Sequence, residues 1–153
     1  MASWGWRSKR GILEQRVSLI TLGVADLKRS VEFYERLGWR RSKAKAQGII
    51  FFQLGGMAFA LFPRNELAKD ANVPSEGHGF SGLSLAYNAR NREEVDSVLA
   101  QAEAAGAKIL KPAQEAFWGG YSGYFSDPDG FLWEVAWNPS ITMAEDGSIR
   151  IPG

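Results

Sequence analysis

The feature that most constrains the fold of this sequence is an order of elements that occurs twice. The first copy runs from about 17 to 62 and the second from about 82 to 137. In each copy a short apolar run predicts a strand, apolar residues at three- and four-residue spacing predict one amphipathic helix, and three further runs predict strands. A period this long that occurs only twice indicates a duplicated module rather than a solenoid.

Polar and glycine residues mark the ends of both predicted helices. Asp26 carries an N-cap oxygen in the first copy, and Asn91 followed by Glu94 forms a capping box in the second. Gly38 and Gly106 end the helices, because glycine adopts the left-handed conformation after a helix at little cost. The two copies therefore agree in their local signals as well as in element order.

Three strands are predicted after each helix, with a tight turn before the last one. They are expected near 39–45, 48–54 and 57–62 in the first copy, and near 107–112, 119–126 and 131–137 in the second. Gly55 and Gly56 predict a hairpin in the first copy. The run from Asp127 to Gly130 predicts a turn in the second, since Pro128 presets φ and the glycine accepts positive φ.

Length and composition limit the classes of function. The 153 residues fit one domain or two fused half-size modules, and the net charge of +1 gives no reason to expect nucleic acid or an acidic membrane surface as a partner. The absence of cysteine excludes disulfides, thiolate metal sites and cysteine nucleophiles, and it makes a cytoplasmic location the simplest expectation. No apolar run reaches the length of a membrane span.

Proline, glycine and charge divide the chain into segments. We expect an N-terminal arm at 1–15, a domain at 16–138 and a C-terminal arm at 139–153. Within the domain, we expect module one at 16–62, a linker at 63–80 and module two at 81–138.

Two motifs carry a resemblance to a known family. The helix of the first copy contains S-x-x-F-Y-x-x-L-G at 30–38, and the second copy ends with D-P-D-G-x-x-x-E at 127–134. In this order they resemble the vicinal oxygen chelate superfamily, which includes glyoxalase I, bleomycin-resistance proteins and extradiol dioxygenases. The resemblance covers roughly residues 16–138. It implies an α+β fold of two βαβββ modules, with paired curved mixed sheets around a cavity, and a homodimer.

The same resemblance implies four strand positions that supply His, Gln or Glu ligands in metal-using members. Here those positions are Leu19, Ala60, Gly82 (Ser81 if the alignment shifts by one) and Glu134, and only Glu134 is capable of binding a metal. A catalytic divalent site generally needs three protein donors and an open position. We therefore predict no cofactor, and a divalent metal is disfavoured.

Glu134 is the strongest candidate for a functional side chain. Strand alternation predicts that Leu132, Glu134 and Ala136 face the cavity, with Trp133 and Val135 under the helices. One interpretation makes Glu134 a hydrogen-bond acceptor or general base toward a ligand. The other makes it an inherited residue that pairs with an arginine or a tyrosine hydroxyl and has no chemical role.

Aromatic residues are expected to form the walls of the cavity. The predicted ligand-binding set consists of Phe52, Phe117, Trp118, Tyr121, Tyr124 and Glu134. Core packing is the alternative for any single ring. The run 117–124 favours a pocket wall, because its three glycines would weaken an ordinary strand but would allow a ligand to approach the backbone.

Three functions remain open on the sequence alone. The leading hypothesis is metal-independent binding of a small hydrophobic or aromatic molecule in the sheet cavity, with Glu134 as the polar anchor. The second is a glyoxalase-related enzyme, a lyase, isomerase or dioxygenase-type protein, with Glu134 as catalytic base and a divalent metal held in an atypical way. The third is a structural or regulatory protein whose cavity has no ligand.

Overall fold

The computed structural model describes residues 13–44 and 46–152. The described helices are α1 (Leu27–Arg36), α2 (Arg64–Ala71) and α3 (Arg92–Ala105). The described strands are β1 (Leu19–Val24), β2 (Ile50–Leu54), β3 (Met57–Pro63), β4 (Ser84–Asn88), β5 (Lys108–Glu115), β6 (Tyr121–Ser126), β7 (Leu132–Trp137), β8 (Thr142–Met143) and β9 (Ile149–Arg150). Most of the predicted N-terminal arm, residues 1–12, lies outside the described residues, as do positions 45 and 153.

Two mixed sheets confirm the predicted α+β class. The first sheet has the order β1-β3-β2, and the second sheet has the order β4-β7-β6-β5. In each sheet the opening strand pairs in parallel with the closing strand of the same module, and the remaining pairs are antiparallel. A short hairpin of β8 and β9 follows near the C-terminus.

The two modules differ in their number of strands. The strand predicted near 39–45 is absent from the described part of that segment, where a single bridge joins Arg41 to Phe52. The guanidinium of Arg41 instead donates two hydrogen bonds, of 2.8 and 3.0 Å, to the carboxylate of Glu35 in α1. The first sheet therefore has three strands where the second has four.

The predicted caps are present at both long helices. The Asp26 carboxylate accepts a hydrogen bond from the amide of Arg29 at 3.1 Å, and the Asn91 side chain accepts one from the amide of Glu94 at 2.8 Å. Gly106 follows α3 with a φ of 115°, as the C-terminal glycine rule requires. No helix in the described ranges is long and apolar enough to cross a membrane.

One apolar core joins the two modules. It contains the buried faces of α1 and α3 together with the helix-covered sides of both sheets. Its centre is aromatic: Tyr34 of α1 stacks on Trp39 at 5.2 Å and lies edge-on to Phe59 at 5.0 Å. Because both sheets turn one side into this core, ligand-binding surfaces must be sought on their other sides or at the seam between the modules.

The turn at 127–130 fastens module two to the start of α1. The carboxylate of Asp129 accepts hydrogen bonds from the amide of Ala25 at 2.9 Å, the hydroxyl of Ser30 at 2.7 Å and the guanidinium of Arg29 at 3.2 Å. These contacts place a negative charge at a helix N-terminus, where the unpaired amides and the helix dipole stabilise it. The motif therefore has a structural role between the modules in addition to forming a turn.

Asp127 makes the second fastening and is itself buried. One carboxylate oxygen accepts the Tyr34 hydroxyl at 2.7 Å, and the other accepts the amides of Asp129 and Phe131 at 2.9 Å each. The indole of Trp133 donates to the Tyr34 oxygen at 3.1 Å. Burial raises the pKa of Asp127 above its ordinary value, although these hydrogen bonds favour the ionised form.

Candidate functional site

The side of the second sheet opposite α3 carries the candidate site. Trp133 and Val135 are buried on the α3 side, so the residues between them point the other way, as predicted. We call this side the open face of the second sheet and define it by alternate residues of β4, β6 and β7. They are Ser84, Ala86 and Asn88 of β4, Ser122, Tyr124 and Ser126 of β6, and Leu132, Glu134 and Ala136 of β7.

Glu134 and Tyr124 lie directly opposite each other on β7 and β6. Both side chains are partly exposed. Burial, and then the negative charge of Glu134, raise the pKa of Tyr124. The phenol therefore keeps its proton at neutral pH and remains a hydrogen-bond donor beside a carboxylate acceptor. Among the hydrogen bonds of the described residues, none is made by the Glu134 side chain, so its oxygens remain open to a ligand.

The neighbours of this pair set its polarity. Ala86 of β4 lies beside Glu134, and Lys111 of β5 lies beside Tyr124. The methyl group of Ala86 has no hydrogen-bonding capacity. The carboxylate thus has an apolar neighbour on one side and a phenol on the other, with a cationic side chain one strand further away.

An apolar groove adjoins the pair on the same face. It has a volume of about 510 Å³, and its apolar walls are Phe80, Leu110 and Leu132. Its polar members are Ser81, Lys108, Ser126 and Asp129. Leu132 precedes Glu134 by two residues on β7, so the two side chains lie roughly 7 Å apart on one side of the sheet. Such a volume, with large apolar side chains and several polar groups, lies in the range of small-molecule sites.

The matching position of the first sheet is covered by packed side chains. Leu67 of α2 packs onto β1, with its Cδ2 3.2 Å from where a Cβ on Gly23 would lie. Ala60, which the sequence aligns with Glu134, is 0% exposed. The segment predicted as a linker thus contains a helix that covers this sheet.

The four positions that could hold a divalent metal do not fit one. Ala60 has Thr21 as its neighbour in the sheet, two residues from the predicted Leu19. Glu134 has Ala86 as its neighbour, four residues from the predicted Gly82. Gly82 lies before β4 in the left-handed region, with a φ of 80°. Either alignment supplies one carboxylate and no second strong donor, fewer than a divalent site requires.

Potential metal ligands elsewhere in the described residues do not form a site either. Within residues 13–44 and 46–152, no group of three or more His, Cys, Asp or Glu side chains is placed to hold an ion. His78 lines a separate cleft with Arg64 and Asp129, where Arg64 donates to the carbonyl of Ser75 at 2.8 Å.

Two of the predicted ligand-binding aromatics lie on the wrong side of their sheets to join Glu134. Phe52 is 1% exposed and packs in the core against Tyr34 and Trp39. Tyr121 is turned toward α3, and its hydroxyl donates to Asp96 at 2.8 Å. Both positions follow from strand alternation, because Tyr121 is an odd number of residues from Tyr124 on β6.

The glycines of the run 117–124 are explained by packing at two positions and by backbone conformation at the third. Trp118 covers the backbone of Gly120, and a Cβ there would lie 2.6 Å from Cη2 of the ring. A Cβ on Gly123 would lie 2.8 Å from Leu99 of α3. Gly119 forms the turn with a φ of 93°. Gly120 and Gly123 thus admit protein atoms rather than a ligand.

Phe117 and Trp118 are brought near the site to different degrees. Phe117 is fully exposed in the connection between β5 and β6. Gly120 and Ser122 alternate onto one side, so the Trp118 ring borders the open face of the second sheet at the end opposite the groove. Of the predicted aromatic set, Tyr124 and Trp118 therefore accompany Glu134.

The groove residues were missed by sequence reasoning for two reasons. The pairing of β5 with β6 shifts register between Ile109 and Lys111 and again before Gln114, which disrupts the alternation that would have marked Leu110 as outward-facing. Phe80 stands alone among turn-forming residues in the linker. A single large apolar residue in such a setting was the one available signal.

Comparison with known proteins agrees with the fold and the motifs. The family model described as Glyoxalase/Bleomycin resistance protein/Dioxygenase superfamily matches residues 16–135. The chain belongs to this family, which confirms the resemblance inferred from the motifs at 30–38 and 127–134.

Solved structures extend the comparison. A glyoxalase-related enzyme from Fulvimarina pelagi is 37% identical, with 91% of this chain and 99% of that chain covered and a TM-score of 0.82. A lactoylglutathione lyase from Agrobacterium tumefaciens is 26% identical, with 82% and 96% covered and a TM-score of 0.62. A family enzyme from Burkholderia phytofirmans PsJN, at 19% identity, covers 78% and 96% with a TM-score of 0.72 and supports the fold alone.

Proposed function

We propose that this protein binds a small hydrophobic or aromatic molecule without a metal, in the groove on the open face of the second sheet. The observation that carries the proposal is the pairing of Glu134 with Tyr124 beside an apolar groove. The pair supplies one charged acceptor and one neutral donor. Phe80, Leu110 and Leu132 supply the apolar surface.

The chemistry of the pair favours a ligand that donates a hydrogen bond. A carboxylate that a ligand covers must find a donor, because a charge removed from water without a partner is costly. An amine, amide or hydroxyl on an aromatic or aliphatic body meets that requirement. A hydrogen bond to a charged group contributes about 1.5–3 kcal/mol.

Substitution of Glu134 tests the site. In E134Q, we expect the affinity for 2-phenylethylamine to fall by about 1–3 kcal/mol, since the charged hydrogen bond is lost. E103Q is the matched control on an exposed position of α3. Isothermal titration of the wild type and both variants measures the effect. Equal affinity in all three proteins, with the fold intact by circular dichroism, would remove Glu134 from the site.

A glyoxalase-related enzyme is the second candidate. The observation that favours it is the 37% identity to the glyoxalase-related enzyme from Fulvimarina pelagi. In this candidate Glu134 acts as a base in lyase, isomerase or dioxygenase-type chemistry, with a metal held by an atypical donor set. The single carboxylate among the family positions argues against it.

Elemental analysis of the untagged protein separates the two candidates. Zinc, nickel, manganese and iron are then titrated while the melting temperature is followed. We expect no metal near one equivalent and no ion-specific rise in melting temperature. A stoichiometric metal, or a clear rise with one ion, would contradict the metal-independent proposal and support the enzyme.

The proposal includes a homodimer that works in the cytoplasm. The family resemblance supports a dimer, and exposed apolar residues such as Leu19 and Leu83 are the kind of surface a second copy would cover. The absence of cysteine supports a reducing compartment. Light scattering after size-exclusion chromatography tests the dimer, and a monomer at micromolar concentration would refute it.

A further inference from the structure

A second cavity lies at the seam between the modules, on the α3 side of the second sheet. It has a volume of about 140 Å³. Its walls come from the segment after α1 and from four elements of module two, namely β4, α3, β6 and β7. They are Leu37, Trp39, Tyr87, Val98, Gln101, Ala102, Phe125 and Trp133. Trp133 neighbours Glu134 on β7 and points the opposite way, so this cavity is separate from the groove beside Glu134.

No charged side chain lines this seam cavity. Phe125 stacks on Trp133 at 6.0 Å with an interplanar angle of 6°, and Trp39 meets Trp133 edge-on at 5.9 Å. The indole nitrogen of Trp133 is already bonded to Tyr34. The rings therefore present apolar faces and edges in fixed positions, which suits a further aromatic ring.

The seam cavity adjoins a wider cleft. This cleft has a volume of about 660 Å³ and shares Trp39, Tyr87 and Trp133 with the cavity. Its charged members are Arg90 and Asp146. Both side chains already make hydrogen bonds within the protein. Arg90 donates to the carbonyl of Glu145 at 2.9 Å, and Asp146 accepts a hydrogen bond from the amide of Ser148 at 2.9 Å.

We propose that the seam cavity is a binding site for one uncharged aromatic ring, either a small arene or the ring of a larger molecule whose remainder lies in the wider cleft. Volume and lining both support this class of ligand. A dry apolar cavity of about 150 Å³ holds one benzene molecule. A charged ring would lose its hydration and find no oppositely charged partner among the side chains that line the cavity.

The test uses fluorobenzene and 4-fluorobenzoate as probes, followed by ¹⁹F NMR titration. Ala102 is fully buried on α3 and lines the cavity, so A102L fills it. A100L adds the same side chain at an exposed position of the same helix and is the matched control. V98M replaces A102L if thermal melting shows that A102L does not fold.

The wild type and A100L are expected to bind fluorobenzene saturably, and A102L or V98M to bind it about tenfold or more weakly, a change of one logarithmic unit in Kd. 4-Fluorobenzoate is expected not to bind. Unchanged affinity in both cavity-filling variants, non-saturable binding, or equal binding of 4-fluorobenzoate would overturn the proposal. Neither Val98 nor Ala102 lines the groove beside Glu134, so loss of binding in the cavity-filling variants is independent of that groove.

Discussion

The two modules share a topology but differ in the residues that cross their sheets. Each sheet has one row of three neighbouring residues at the position of Glu134. The rows are Thr21, Ala60 and Phe51 in the first sheet, and Ala86, Glu134 and Tyr124 in the second. In the first row α2 packs nearby and Ala60 is buried, whereas in the second row Glu134 remains partly exposed. The duplication has conserved the scaffold and left the polar chemistry in one half.

The turns before the closing strands differ in the same way. In the first module, Gly55 and Gly56 connect two strands, and a Cβ on either would touch nothing within 4 Å. In the second, Asp127 and Asp129 accept four hydrogen bonds from the start of α1 and the residues around it, donated by Ala25, Arg29, Ser30 and Tyr34. Module two thus supplies both the candidate site and the junction.

Substitution of the one alanine in each row gives the sharpest test of this difference. A60Q should destabilise the protein by about 2–5 kcal/mol, because it overpacks a closed site and buries an amide without partners. A86Q, on the exposed side of the second sheet, should change the free energy of unfolding by about 0.5 kcal/mol or less. Urea denaturation measures both. Similar values for the two variants would mean that the first sheet is as open as the second.

The next largest effect on stability is expected at the hydrogen bonds that join the turn at 127–130 to α1. Y34F removes the hydroxyl that bonds Asp127 and accepts the Trp133 indole, so two buried polar groups lose a partner. We expect a loss of about 2–3 kcal/mol in the free energy of unfolding. Y87F is the control, since Tyr87 is 40% exposed. If Y34F and Y87F unfold at the same urea concentration, the Tyr34 hydroxyl does not hold the modules together.

Asp127 predicts a dependence of stability on pH. Its folded pKa is raised by burial, so the folded state binds the proton more tightly than the unfolded state. The resulting contribution is fully present below the unfolded pKa and is lost as pH rises through the folded pKa. D127N should remove this decline. Urea titrations of both proteins from pH 4 upward measure it, and parallel curves would contradict the assignment.

Most of the fold could be predicted from the sequence, because the residues that mark helix ends and strand faces are close together in the chain. Asp26, Asn91 and Gly106 determine helix ends within a few residues, and the alternation from Leu132 to Ala136 correctly predicted which residues face α3. The strand predicted near 39–45 was wrong for the described part of that segment, where a single bridge joins Arg41 to Phe52.

Only part of the candidate site could be predicted from the sequence. Glu134 follows from alternation, and alternation also puts Tyr121 on the opposite side of β6 from Tyr124. The burial of Phe52 depends on its packing against Tyr34 and Trp39, which are distant in sequence. The contacts of Trp118 with Gly120 and of Leu99 with the backbone at Gly123 are tertiary, and the sequence alone made these glycines look like space for a ligand. Packing between distant segments determines what such space contains.

The smallest expected effect on ligand affinity comes from a substitution that makes the second row resemble the first. Y124F gives the second row the phenyl side chain that Phe51 gives the first, so it removes the donor while keeping the shape. We expect the affinity for 2-phenylethylamine to fall by about 0.5–1.5 kcal/mol, the usual value of one neutral hydrogen bond, with the free energy of unfolding nearly unchanged. F51Y is the matched control at the first row and should leave affinity unaltered. If Y124F binds as tightly as the wild type while E134Q binds weakly, the anchor is the carboxylate alone. If F51Y alters affinity, the ligand reaches the first sheet and the division between the modules fails.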